Sequence, residues 1–303
     1  MTHEPLPHSG HYFGDQRDFW WNFDFLELMA KRWNLKHCRS VLDVGCGVGH
    51  WGLTLAPFLS SECKVEGIDP EEQWIKTAKE KANQKKTNQQ FQYQVGSAEK
   101  IPFEDNSFDM VTCQTVLIHL ADVSIALKEM IRVLKPGGLL AVAEPNNIAP
   151  MLVFDNFSID EPIDSILEHI RFQMMCERGK KALGLGYNSI GDLLPGYFSQ
   201  FNLEQIQVYL SDKTSPLIPP YSSKEEKVLI EQSQTWRDQE IAVWPREETK
   251  RYFLASGGSA EEFELRWTKM LNDIKMQQKN IKNKTLCSPG TCIMYLISGY
   301  KTS

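Results

Sequence analysis

The run Asp43-Val44-Gly45-Cys46-Gly47-Val48-Gly49 has the residue types and spacing most suggestive of chemistry. Glycine lets a backbone turn approach a ligand with no Cβ in the way, and a helix that starts just beyond presents unpaired N–H groups to that ligand. A dinucleotide turn is spaced Gly-x-Gly-x-x-Gly. Here Gly45, Gly47 and Gly49 are spaced Gly-x-Gly-x-Gly, and His50 stands where the third dinucleotide glycine would fall. Asp43 also disfavours pyrophosphate, because a carboxylate repels phosphates and suits a cationic ligand. A second candidate group is Gln114-Thr115-Val116-Leu117-Ile118-His119-Leu120. His119 is its candidate general base, with an ordinary pKa of about 6.5, and a packing role is the competing reading.

The elements that must position these groups follow from periodicity. Residues 15–33 repeat aromatic and aliphatic positions at three and four, which predicts an amphipathic helix. Residues 41–44 are β-prone, stop at the glycines and lead into helical character over 51–59. The alternation continues with strands at 64–69, 91–95 and 108–113, helices at 71–82 and 123–134, a Lys135-Pro136-Gly137-Gly138 turn and a fifth strand at 139–143. Strand–helix alternation predicts an α/β fold with a parallel sheet and right-handed crossovers. Gln114 and Thr115 then lie at a strand's carboxyl end, where open α/β sheets bind ligands.

After Glu144 the rhythm breaks. Residues 150–185 read as mostly helical, 190–201 as a helix, 203–209 as a strand, 211–289 as polar and helix-prone, and 292–297 as a last strand. The two helical stretches are expected to be insertions into one domain, because the last strand still needs the sheet as partner. With the aromatic N-terminal helix they could roof the site, and Phe154, Phe157, Phe172, Met174, Met175, Tyr187, Tyr197, Trp236, Trp244 and Trp267 predict a lid over an apolar or amphipathic small molecule. A core for the inserted helices themselves is the alternative.

Composition sets the bounds. The 303 residues are 42% hydrophobic and 24% charged, ordinary for a globular chain. No stretch approaches the roughly 18 apolar residues of a membrane span, and residues 1–5 lack a signal-peptide pattern, so a soluble, cytoplasmic protein is expected. Seven cysteines show no Cys-x-x-Cys pair and no adjacent histidine cluster, which predicts neither disulfides nor a metal site. A net charge of −6 argues against a nucleic-acid partner. The basic run at Lys275, Lys279, Lys282 and Lys284 reads as a solvated helix face.

With these motifs, the chain resembles the class I S-adenosylmethionine-dependent methyltransferases, within them the small-molecule branch that includes quinone-biosynthesis enzymes. The resemblance covers residues 41–145 strongly and 186–210 weakly. It implies a Rossmann-like, seven-stranded, mostly parallel sheet with helices on both faces and an antiparallel last strand. It further implies a cofactor-binding core at 41–145, an N-terminal helical cap at 1–40 and the insertions at 150–185 and 211–290. Asp43, Gly45, Cys46, Gly47 and Gly49 match the family's first motif. Asp69, followed by Pro70, matches the carboxylate that accepts both ribose hydroxyls, and its two oxygens suit a vicinal diol.

Ser97 and Ala98 stand in the adenine-contacting segment, with Ser replacing the commoner Asp, and Trp74 stands where relatives place a Met against adenine. Packing within its helix is the alternative for Trp74. Gln114 and Thr115 would pass beside the methionine part of the cofactor, and Tyr12 and Arg17 would reach its carboxylate. The implied activity is methyl transfer from S-adenosylmethionine to a small-molecule O, N or C nucleophile, leaving S-adenosylhomocysteine. Gln114-Thr115-Val116 departs from the Asn/Asp-Pro-Pro signature of nucleic-acid amino-methylating enzymes. Two alternatives stay open: a regulatory protein that binds the cofactor without chemistry, and a nucleotide-dependent oxidoreductase.

Overall fold

The computed structural model describes Gly10 and residues 14–85 and 87–302. The β-prone runs assemble into a seven-stranded sheet among the described residues: β1 (Ser40–Val44), β2 (Lys64–Asp69), β3 (Gln90–Val95), β4 (Phe108–Gln114), β5 (Leu134–Pro145), β6 (Glu204–Leu210) and β7 (Met294–Tyr300), in the spatial order β3-β2-β1-β4-β5-β7-β6. β1 to β5 pair in parallel, while β7 runs antiparallel between β5 and β6. This is the Rossmann-like arrangement expected. The order reverses at β1, which pairs with both β2 and β4, so the carboxyl ends of these strands open a crevice.

Alternation along the central strands fills two cores. Leu42, Val44, Val111, Cys113, Leu140 and Val142 face α4 (Val123–Val133), whose Ala126, Leu127 and Met130 are completely buried. Val41, Met110, Ala141 and Ala143 face the other way, onto Leu26 and Met29 of α1 (Phe23–Arg32) and onto Trp51 of α2 (His50–Leu55). Central parallel strands covered on both faces need continuous apolar character, as these have.

The aromatic segment expected as one helix over 15–33 is divided. A 3-10 turn spans Asp15–Phe19, α1 begins only at Phe23, and buried Trp21 between them packs at a tilt against Trp51 with ring centroids 5.2 Å apart. The Lys135-Pro136-Gly137-Gly138 turn is drawn into β5, because the Gly137 N–H donates to the Lys301 carbonyl and extends the pairing with the last strand. Over 190–201 the chain forms a 3-10 turn, Ile190–Leu193, continued by α6 (Leu194–Gln200).

The inserted stretches contain α5 (Ile163–Ala182), α7 (Lys224–Asp238), α8 (Arg246–Ala255) and α9 (Ala260–Lys282), with α3 (Glu72–Gln84) back in the core. Cys176, Trp244, Tyr252, Phe253, Phe263 and Trp267 form a separate apolar cluster to which Phe172 and Met175 add. Four of the aromatic and sulfur side chains expected over a ligand thus pack on one another. The seven cysteines are unpaired, and no helix among the described residues is long and apolar enough to cross a membrane.

Candidate active site

The crevice is built from strand ends. Gly45, Gly47 and Gly49 all take left-handed φ values, 64°, 51° and 78°, which only glycine adopts freely. A Cβ on Gly45 would lie 2.5 Å from Cγ2 of Val116, and one on Gly49 would lie 2.7 Å from the Tyr93 hydroxyl. The β1 turn is therefore pressed against the loop after β4 on one side and against β3 on the other. Buried Tyr93 also crowds Gly67, where a Cβ would stand 2.5 Å from its ring.

Asp69, buried at the end of β2, organises the turn: its Oδ2 accepts the Gly47 N–H at 2.9 Å and its Oδ1 the Glu71 N–H at 3.0 Å. A carboxylate's two oxygens can each accept more than one hydrogen bond. Asp43 turns beneath the glycines, where Oδ2 accepts the Gly52 N–H at 3.0 Å and buried Oδ1 has no hydrogen-bond partner among the described residues. Burial pushes its pKa up to about 7; the Gly52 N–H opposes the rise, the Asp69 charge adds to it, and Arg17 opposes it. Arg17 itself, half-buried, is lowered to about 10 by desolvation, against which Asp43 acts. His50, at the start of α2, is driven down to about 3 by burial and by the cations Arg17, Lys81 and Lys85.

The remaining expected residues distribute around this centre. The Cys46 N–H donates to the Ile68 carbonyl, joining the turn to β2, and the Gly96 N–H donates to the Asp69 carbonyl, bringing the 96–98 segment beside Asp69. The Ser97 hydroxyl accepts the Glu99 N–H at 3.2 Å, and Ala98 is buried in the α4-side core. Trp74 is buried on α3, while Pro70 is exposed. Tyr12 lies outside the described residues.

Gln114 ends β4 almost wholly buried, and neither its Oε1 nor its Nε2 has a hydrogen-bond partner among the described residues. Such a group is costly unless something satisfies it. Thr115 follows at φ 55°, a strained conformation for a β-branched residue, held by its N–H donating to the Ala143 carbonyl at 2.9 Å. His119 is half-buried and closes a 3-10 turn, Leu117–His119.

Sequence reasoning passed over Glu144. Completely buried at the end of β5, its Oε1 accepts the N–H groups of Val116 and Leu117, both at 2.8 Å, and so shapes the loop that carries His119. Burial raises its pKa to about 7 against those N–H donors. A lone acid closing the apolar run Leu139-Leu140-Ala141-Val142-Ala143 was the available signal.

A reversed strand order, a glycine turn on the first strand and a carboxylate ending the second define a Rossmann-like domain with a ligand crevice at its switch point. The family described as "Methyltransferase domain" matches residues 42–142, the segment that builds this crevice. The match covers that segment alone, 101 of the 303 residues. The uncharacterized methyltransferase YcgJ of Bacillus subtilis is 32% identical over 172 residues, 56% of this chain and 62% of that one. A demethylmenaquinone methyltransferase of Staphylococcus aureus is 39% identical over 124 residues, 41% of this chain and 48% of that one. The chain thus spans less than two thirds of the length of either relative. The solved structure of B. subtilis YcgJ superposes with a TM-score of 0.51 at 23% identity, covering 93% of this chain and 100% of that one, a likeness of fold.

Proposed function

We propose that this protein binds S-adenosylmethionine in the glycine-turn crevice and transfers its methyl group to a small-molecule O, N or C nucleophile, leaving S-adenosylhomocysteine. The observation that carries the reading is the buried Asp69 carboxylate, which ends β2 beside the crevice and is locked onto the Gly47 N–H of the glycine turn. When bound, the cofactor supplies a methyl group already activated on a sulfonium. The chain's own tasks are then to hold, align and exclude water, and alignment alone is worth about 7 to 11 kcal/mol of barrier.

Asp69 would accept the ribose hydroxyls on its two oxygens, with Pro70 directing the chain away. Gly45, Cys46, Gly47 and Gly49 would let the backbone lie against the ligand. Trp74 and the Ser97-Ala98 segment would receive adenine. Gln114 and Thr115 would face the methionine part, where the unsatisfied amide of Gln114 suits a polar ligand. Asp43 would favour a cationic ligand nearby, and Arg17 with Tyr12 would meet the ligand's carboxylate. His119 stands on the acceptor side, where a positioned base adds about 10²–10⁴-fold. We place the protein in the cytoplasm, with α5 and the 211–290 insertion as a lid over an acceptor that is not a nucleic acid. The demethylmenaquinone methyltransferase among the relatives makes quinols the first acceptors to try.

Titration calorimetry with S-adenosylhomocysteine and with NADH tests this. Heat with the former alone, weakened at least tenfold in Asp69→Ala, is expected; no heat with S-adenosylhomocysteine overturns the reading. Methyl transfer to any member of a screen of quinols, phenols, amines and carboxylic acids would exclude a purely regulatory binding protein.

A further inference from the structure

Helix α5 carries its polar residues on the wrong side. Gln173, Glu177 and Lys180 recur at four and three along one face, and all three are buried, Lys180 to 1% exposure. Helices normally turn such a stripe to water. Here it forms a network: Glu177 Oε1 accepts from Gln173 Nε2 and from the Ser189 hydroxyl, each at 3.0 Å, and Ser189 Oγ accepts the Asn147 N–H at 2.9 Å. Lys180 Nζ donates to the Ile118 carbonyl at 2.8 Å and to Asn188 Oδ1 at 3.4 Å.

The Ile118 carbonyl belongs to the loop after β4, and that loop is held from two directions. From the sheet come the Ala143 carbonyl, which receives the Thr115 N–H, and Glu144, which receives Val116 and Leu117. From the insertion comes Lys180, backed by Gly186, whose φ of 86° lets residues 185–187 lie flat on the loop; a Cβ there would stand 2.2 Å from the Ile118 oxygen. Burying an ammonium is costly, and an apolar side chain of similar length would fill the same space without that cost. Desolvation lowers the Lys180 pKa to about 8, against the attraction of Glu177, Glu144 and Glu248, so a substantial penalty is retained at this position.

We propose that Lys180 is a positioning residue for methyl transfer: its hydrogen bond to the Ile118 carbonyl registers the inserted helix against the acceptor side of the crevice and holds the His119 loop in its strained course. The proposal rests on the methyltransferase reading above for its catalytic consequence, and on the geometry alone for the clamp. A displacement of about 1 Å at such a loop is enough to cost 10²-fold in rate. Cofactor contacts from Asp69 and the glycine turn lie on other strands, and Gln114 and Thr115 are fixed by β4 and the Ala143 carbonyl, so all stay intact when the clamp is lost.

Hydrogen exchange of the full-length protein, measured by mass spectrometry, separates these statements. In Lys180→Met, amides in a peptide spanning 117–121 are expected to exchange at least tenfold faster, while those of 164–175 and the affinity for S-adenosylhomocysteine change less than twofold. With an acceptor from the screen, kcat falls at least tenfold and KM for S-adenosylmethionine stays within twofold. Gly186→Ala displaces the same carbonyl without touching a charge and is expected to give the same pattern, so it serves if Lys180→Met does not fold. Unchanged exchange over 117–121 in a folded variant overturns the clamp, and an equal loss across 164–175 marks Lys180 as merely structural and also overturns it. Failure of wild-type protein to bind S-adenosylhomocysteine overturns the methyltransferase reading instead, and leaves the exchange result to decide the clamp.

Discussion

Between β1 and β5 the buried acids sit at or near the carboxyl ends of strands and accept backbone N–H groups, as Asp43, Asp69 and Glu144 do. In the insertion, buried charge runs along the inward face of α5 and is satisfied mainly by side chains and loop carbonyls, beside an aromatic cluster of its own. The first arrangement makes a crevice whose shape the backbone dictates. The second makes a body with its own core, joined to the first by the polar contacts of Lys180 and by α7 packing on the Asp15–Phe19 turn. Substitutions in one region are therefore expected to act on different observables from substitutions in the other.

The largest effect tests whether the insertion's core is separate. Phe263 is completely buried in it, and Phe263→Ala is expected to cost about 3–5 kcal/mol in denaturant unfolding while leaving S-adenosylhomocysteine affinity within about twofold. A matching loss of affinity in protein that is still folded would show that the two regions do not act separately. Gly45→Val is the converse: it strains a φ of 64° and drives a Cβ into Val116, and affinity is expected to fall about 100-fold, near 3 kcal/mol.

Glu144 probes the seam by pH. Its carboxyl has a pKa of about 7 when folded against 4.5 ordinarily, so between these values the folded state keeps a proton that the unfolded state has lost. Its contribution to stability is full below pH 4.5 and is lost as pH rises through about 7. Glu144→Gln keeps an acceptor for Val116 and Leu117 but does not titrate. The variant should gain on wild type by up to about 3 kcal/mol from pH 4.5 to 8 in thermal unfolding, and a flat difference would mean that the acid is solvated. Lys180 has the opposite sign: its folded pKa of about 8 lies below 10.5, so wild type recovers stability as pH rises between them, and Lys180→Met should lose relative ground there. The smallest effect is at α7, where Ser223 and Glu226 form a reciprocal cap; Ser223→Ala is expected to cost about 1 kcal/mol and nothing in ligand binding.

How far the sequence was legible follows the same division. Strand–helix alternation and glycine spacing are local patterns, so β1 to β5, the turn and the place of Asp69 could be read directly. Apolar periodicity also marked α4. The aromatic residues of 150–290 were legible as buried, but whether they faced a ligand or each other depends on how α5, α8 and α9 meet, which no local pattern encodes. Lys180 and Glu177 were illegible for a sharper reason: charged residues in a polar helix read as solvent-facing, and only the tertiary contact with Ile118 turns them inward. The break at Trp20 to Asn22 escaped because it is set by Trp21 reaching Trp51 across the sequence.

Tyr93 has a consequence for descent. Its ring and hydroxyl occupy the space that a Cβ would need at both Gly67 and Gly49, three positions on three separate strands or turns. A lineage that replaces the tyrosine with a small residue relieves position 67 only as far as the Cys46 sulfur, 3.0 Å from a Cβ there, whereas position 49 stays strained for any side chain by its φ of 78°.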